Sequence, residues 1–166
     1  MGRMTALRVR AAGPDDRATV ARLITESWHA PILVVHGVTY HAADLPALLA
    51  ETGPDGDIAG LLTYHVDGGA LEIVSLNAFT SGAGVGSALL DAAAGVARER
   101  GLTRLWVVTT NDNLDALRFY QRRGLRLAAL APGAVDAARL VKPSIPLVGD
   151  HGIPLRDELT LEMPVA

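Results

Sequence analysis

Between an apolar run, ALEIVSLNAF (residues 70–79), and a helical pattern, ALLDAAAGVARER (88–100), the chain places TSGAGVGS (80–87), with glycine at 82, 84 and 86. Glycine is used where φ must be positive or where another group must approach the backbone closely. A strand, a glycine-rich turn and a helix N-terminus together present uncommitted N–H groups and a partial positive charge, so an anion can bind there without a basic side chain. The stretch supplies no such side chain, with Ser81, Ala83, Val85 and Ser87 beside the glycines. A tight connection that binds nothing is the plain alternative.

The surrounding pattern limits the folds that can carry this turn. LRVR (7–10) reads as a first strand, and Pro14, Asp15 and Asp16 mark the start of a helix with Val20, Leu23 and Ile24 on one face. HAPILVVHGVTYH (29–41) reads mostly as loop, and LPALLAE (45–51) as a short helix or strand. GPDGD is a turn, IAGLLTYHV (58–66) a strand, and DGG a hairpin turn into the 70–79 run, which makes the middle of the chain an antiparallel meander. After the glycines come a helix over about Val85 to Arg100, a strand RLWVVTT (104–110) and a second capped helix in NDNLDALRFYQRRG (111–124), which with the 70–79 strand make a βαβα unit. The remainder offers a strand LRLAAL, a helix AVDAARLV, a loop KPSIPLVGDHGIP with three prolines, and a last strand ELTLEMP.

Composition narrows the function classes. The net charge of −3 argues against a nucleic-acid or anionic-membrane partner. The absence of cysteine excludes disulfides, a thiolate nucleophile and a Cys-ligated metal, and fits a reducing cytoplasm. No apolar stretch approaches the ~18 residues of a membrane span. The histidines lack regular ligand spacing, so no metal is expected. Lys142 is the sole lysine among many arginines, a bias ascribed to base composition.

Three anion-binding readings compete for the glycines. A P-loop needs Gly-Lys-Ser/Thr, and Gly86 is followed by Ser87 and Ala88. A dinucleotide fingerprint is nearly met by Gly82, Gly84 and Ser87, but an antiparallel meander feeds it, and Asp112 lies farther on than the usual ~20 residues. The third ligand is the pyrophosphate of coenzyme A.

The third reading carries a resemblance. SGAGVG (81–86) resembles the R/Q-x-x-G-x-G/A loop of the GNAT superfamily of N-acetyltransferases, and NLDALRFYQRRGL (113–125) resembles their N-x-x-A-x-x-F-Y-x-x-x-G-F segment, with Asn113, Ala116, Phe119, Tyr120 and Gly124 in register. Ser81 departs from the usual Arg or Gln, and Leu125 from the usual Phe. The resemblance implies one domain over residues 1–166: a mixed α/β GNAT fold with a central, mostly antiparallel twisted sheet of about six or seven strands, a parallel βαβ crossover and flanking helices. It implies acetyl-CoA as co-substrate, held by Ser81 to Ser87 at the pyrophosphate, by Asn77 and Ala78 along the pantetheine arm, and by Asn113, Ala116 and Phe119. It implies an amine acceptor, small molecule or peptide, and admits a homodimer. The alternatives kept beside it are a non-catalytic acyl-CoA-binding module of the same fold and a small dinucleotide-binding protein.

Acetyl transfer to an amine needs a base, because an alkyl amine is mostly protonated at neutral pH, and a proton for the departing thiolate. Glu72 is the candidate base, since LEIVSL resembles the strand bearing a catalytic glutamate in histone-acetylating relatives; a solvated strand glutamate is the alternative. Tyr120 is the candidate acid, by the same resemblance, against an ordinary core aromatic beside Leu117 and Phe119. With no cysteine to carry an acyl group, a ternary complex without covalent intermediate is expected. The acceptor side is expected in PILVVHGVTYH and KPSIPLVGDHGIPLRDE, which offer His36, Tyr40, His41, Asp150, His151, Asp157 and Glu158.

Overall fold

A computed structural model describes residues 6–80 and 83–165. Its elements run β1 (Leu7–Ala11), α1 (Arg17–Trp28), β2 (Ile32–Val35), β3 (Val38–His41), β4 (Ala47–Thr52), β5 (Asp57–Asp67), β6 (Ala70–Ala78), α2 (Val85–Glu99), β7 (Arg104–Thr110), α3 (Leu114–Arg122), β8 (Arg126–Ala131), α4 (Ala134–Val141) and β9 (Glu158–Pro164). Among the described residues, seven strands form one sheet in the order β1-β4-β5-β6-β7-β9-β8, and β2 with β3 form a separate hairpin. Every strand pairing among the described residues is antiparallel except β6 with β7. That pair needs a crossover, which α2 supplies. The sheet and flanking helices are the mixed α/β arrangement anticipated from the sequence.

One expectation changes in detail, and one open choice between helix and strand is resolved. The 29–41 segment is a hairpin rather than a loop, because Leu33 and Tyr40 alternate inward and bury their side chains against α1 and the sheet. The 45–51 segment is strand β4, with Ala47 to Ala50 buried on both faces of the sheet.

The core divides across the sheet. On one face α2 packs Val85, Leu89, Leu90, Ala93 and Ala97 against Leu62, Leu71, Ile73, Leu105 and Val107, and Tyr120 and Leu125 join them. On the other, Val20, Leu23 and Ile24 of α1 and the hairpin's Leu33 and Tyr40 cover Leu49 and Leu61. Alternation along β6 sends Leu71 and Ile73 to the first face and Val74 to the second.

Gly60 sets how closely α2 can approach. A Cβ there would lie 2.4 Å from Val85 Cγ1 and 2.9 Å from the Asn77 carbonyl oxygen. Gly60→Ala should therefore cost about 1–3 kcal/mol by overpacking, lowering the melting temperature by about 2–4 °C per kcal/mol. An unchanged melting curve would show that the first turn of α2 moves freely away from β5.

Candidate active site

β6 and β7 pair only over Ala70–Ile73 and Arg104–Val107, although β6 continues to Ala78 and β7 to Thr110. A register shift sits at the same level. Thr63 and Tyr64 of β5 pair with Ser75 and Ile73, which leaves Val74 as the extra residue of a bulge. Bulges bend and twist a strand, so β6 turns away from β7 just where their pairing stops. The result is a notch in the middle of the sheet, with Val74 and Val108 at its mouth.

Beyond the end of β6, α2 begins at one end of this notch. Gly84 is the N-cap of α2 at φ 71° with no side-chain cap, so the first-turn N–H groups of Val85, Gly86 and Ser87 are left to other partners. Ala83 is exposed and Val85 is buried under the helix. A Cβ on Gly86 would meet the Phe119 ring at 3.3 Å, which fixes the close approach of α2 and α3. Ser81 and Gly82 lie outside the described residues. Asn113 caps α3, its Oδ1 accepting from the Ala116 N–H at 3.1 Å, and also lines a cavity next to the notch. Asn77 Oδ1, near the end of β6, accepts from Trp28 Nε1 at 3.3 Å.

Glu72 is 2 % exposed, not a solvated strand residue. Its Oε1 accepts from the Tyr40 hydroxyl at 2.7 Å and its Oε2 lies 2.6 Å from His36 Nε2. Strand alternation puts it on the hairpin's side of the sheet, where β2 and β3 deliver both partners. His36 and Gly37 form the hairpin tip with φ of 42° and 77°, a left-handed pair that a two-residue turn demands. A histidine in that region is strained, and here packing holds it: the ring sits 5.1 Å from that of Trp106. The His36 backbone N–H also donates to both oxygens of Glu158, at 3.2 and 3.3 Å. One residue thus touches two buried carboxylates.

The hydrogen bond to Glu72 raises the His36 pKa above its ordinary value. Burial, with the same carboxylate second, raises the Tyr40 hydroxyl. Burial raises Glu158 and also raises Tyr120. Tyr120 sits in the α2-side core, its ring 5.3 Å from that of Phe119, and lines neither of the two cavities described next.

Two separate cavities, with no lining residue in common, lie on this part of the surface. One, of about 740 Å³, is lined by His36, Tyr40, His41, His65, Glu72 and Trp106. The other, of about 400 Å³, adjoins the notch at Val74, Val108 and Asn113, with Lys142, Asp150 and Glu158 in its wall. The segment after α4 closes this second cavity. Asn111 fastens it through Nδ2 to the Pro154 carbonyl and through Oδ1 to the N–H groups of Arg156 and Asp157. The Asp112 carboxylate accepts from the Thr110 hydroxyl and the Asp150 N–H, in a space that a Cβ on Gly149 would fill.

Of the acceptor-side residues expected from sequence, His36, Tyr40 and Glu158 converge with Glu72, and His41 and Asp150 line the cavities. Asp157 instead accepts from the Gly133 N–H at the start of α4. His151 is exposed and borders neither cavity. Sequence reasoning missed Trp106, whose alternation with buried Leu105 and Val107 was the available signal, and Lys142, a lone lysine beside an apolar helix end.

The chain belongs to the acetyltransferase (GNAT) family, whose model matches residues 18–125. It is 41 % identical over 142 residues to the Bacillus subtilis (strain 168) protein YxbD, covering 86 % of this chain and 89 % of that one. Among solved structures, an IAA acetyltransferase from Bacillus cereus ATCC 14579 superposes with a TM-score of 0.72 at 20 % identity, covering 96 % and 99 % of the two chains. A Bacillus subtilis acetyltransferase in complex with CoA does so with a TM-score of 0.68 at 18 %, covering 97 % and 100 %. The protein is therefore an acyltransferase of GNAT fold.

A raised histidine pKa stabilises the fold fully below the ordinary value near 6.5, and the contribution fades as pH climbs through the folded value. The stability gap between wild type and Glu72→Gln in urea unfolding should be wider at pH 6 than at pH 9. An equal gap at both would show that no proton is held between His36 and Glu72.

Proposed function

We propose that the protein transfers an acetyl group from acetyl-CoA to a primary amine by direct attack in a ternary complex. The observation that carries this reading is the notch itself: a parallel pair that parts after four residues, with an uncapped helix N-terminus at one end and buried carboxylates on the far face. The chain's own groups suit the parts of acetyl-CoA. The N–H groups from Ala83 to Ser87, together with Ser81 and Gly82, bind the pyrophosphate by dipole and hydrogen bonds. The β7-facing edge of β6 near Asn77 and Ala78 takes the pantetheine as an added strand. Asn113 offers its amide at the rim, while Ala116 and Phe119 form the adjoining wall.

In the reaction the amine nitrogen attacks the thioester carbonyl carbon, the C–S bond breaks, and an amide and a free thiol result. Glu72, with hydrogen-bonded His36, receives the amine proton. Tyr120 gives its phenolic proton to the departing thiolate, whose conjugate acid has a pKa near 8.5. Burial keeps that phenol protonated across the working range. Because two substrates are held at once, double-reciprocal plots should intersect.

Free-thiol release with acetyl-CoA and a panel of primary amines tests the reading. Glu72→Gln should lose about 10²–10⁴-fold in turnover at neutral pH and recover part of it as rising pH deprotonates the amine. Tyr120→Phe should bind acetyl-CoA as wild type does and turn over more slowly. Parallel reciprocal plots, or thiol release indifferent to every amine, would contradict the proposal.

A further inference from the structure

Lys142 is a buried cation that the transfer chemistry does not use. It is 8 % exposed, follows the last residue of α4, and lies in the wall of the 400 Å³ cavity beside the notch. Its Nζ donates to the Ile32 carbonyl at 3.2 Å, and among the described residues no carboxylate comes within ion-pair distance. A buried ammonium without a counter-ion is costly, and burial lowers its pKa accordingly. A neutral amide could hold the Ile32 carbonyl too, so that hydrogen bond does not account for the charge.

The carboxylates of the same cavity divide by what they are already doing. Asp112 is committed to the Thr110 hydroxyl and the Asp150 N–H. Asp150 is exposed. Glu158 is 5 % exposed and takes the His36 N–H across both oxygens, which leaves further lone pairs for a donor. Of the two buried carboxylates in the cavity wall, Glu158 is therefore the one with acceptor capacity to spare, and among the described residues it is not paired with the buried cation Lys142. Leu33, Val74, Val108 and Val135 supply apolar wall between its polar groups. Its volume lies at the small end of the ~300–1,000 Å³ typical of ligand pockets.

We propose that the acceptor is a small amino carboxylic acid with an apolar body, its carboxylate received by Lys142 and its amino group by Glu158 next to His36. This rests on the acetyl-transfer reading above and adds the substrate class. Each end of the zwitterion neutralises a charge the fold leaves uncompensated. The amine then sits at Glu158, which the His36 N–H holds, in the cavity that adjoins the notch at Val74 and Val108.

The test compares matched acceptors with and without the carboxylate: leucine against isoamylamine, and phenylalanine against phenethylamine. Wild type should favour the acid of each pair by about 10–100-fold in kcat/KM, the worth of a charge-assisted hydrogen bond of 1.5–3 kcal/mol. Lys142→Gln, which keeps a donor for the Ile32 carbonyl, should erase that preference through KM while changing the decarboxylated amines by less than about threefold. Equal losses for both members, a wild-type preference for the decarboxylated amine, or a preference surviving in the Gln variant would overturn the proposal. If no amine of any kind is acetylated, the transfer reading fails, and this inference is then decided by binding. N-acetyl-leucine, but not N-isoamylacetamide, should raise the melting temperature of wild type and leave the Gln variant unmoved. Equal shifts, or none, would overturn it.

Discussion

The parting of β6 and β7 after Ile73 and Val107 is the constraint on which the rest of the site depends. A continuous parallel ladder would satisfy its own backbone groups and seal the sheet. Here the bulge at Val74 bends β6 away, and the crossover that a parallel pair requires places the α2 N-terminus at the resulting opening. Gly60 and Gly86 then let α2 lie close to β5 and α3. The parted pair leaves an unpaired strand edge, and glycine at the N-cap leaves the helix end uncapped.

Opposite that opening, the β2–β3 hairpin carries the polar half of the site. Its tip, strained at His36, reaches Glu72 by side chain and Glu158 by backbone, so the two carboxylates are set relative to one another by a single residue. Tyr40 completes the hydrogen bonding of Glu72. The arrangement is costly in desolvation, since two carboxylates and a tyrosine leave water together while His36 stays partly exposed. Asn111 and Asp112, immediately after β7, anchor the closing segment, which ties the wall of the second cavity to the same strand that borders the notch.

Much of this was legible in the sequence. The glycine turn, the βαβα unit that contains it and the Asn113 cap follow from local chemistry, in which glycine, strand period and capping residues each have one strong meaning. The hairpin was not legible, because ILVV and VTYH flank a His-Gly turn that lacks the usual Asn-Gly or Asp-Gly signal, and a histidine at positive φ is chosen by tertiary packing. Glu72 could be placed on its strand but not recognised as buried, since its partners come from residues 36 and 40. Lys142 was passed over for a related reason: its meaning depends on a cavity assembled from α1, the hairpin, β7 and the segment after α4.

The central claim is that the notch and the α2 N-terminus together receive acetyl-CoA through main-chain groups. Backbone hydrogen–deuterium exchange, followed by mass spectrometry with and without saturating acetyl-CoA, addresses it directly. The account predicts slower exchange in both residues 74–78 and 83–88 when the ligand is present. Acetyl-CoA that binds while leaving exchange in both segments unchanged would contradict it.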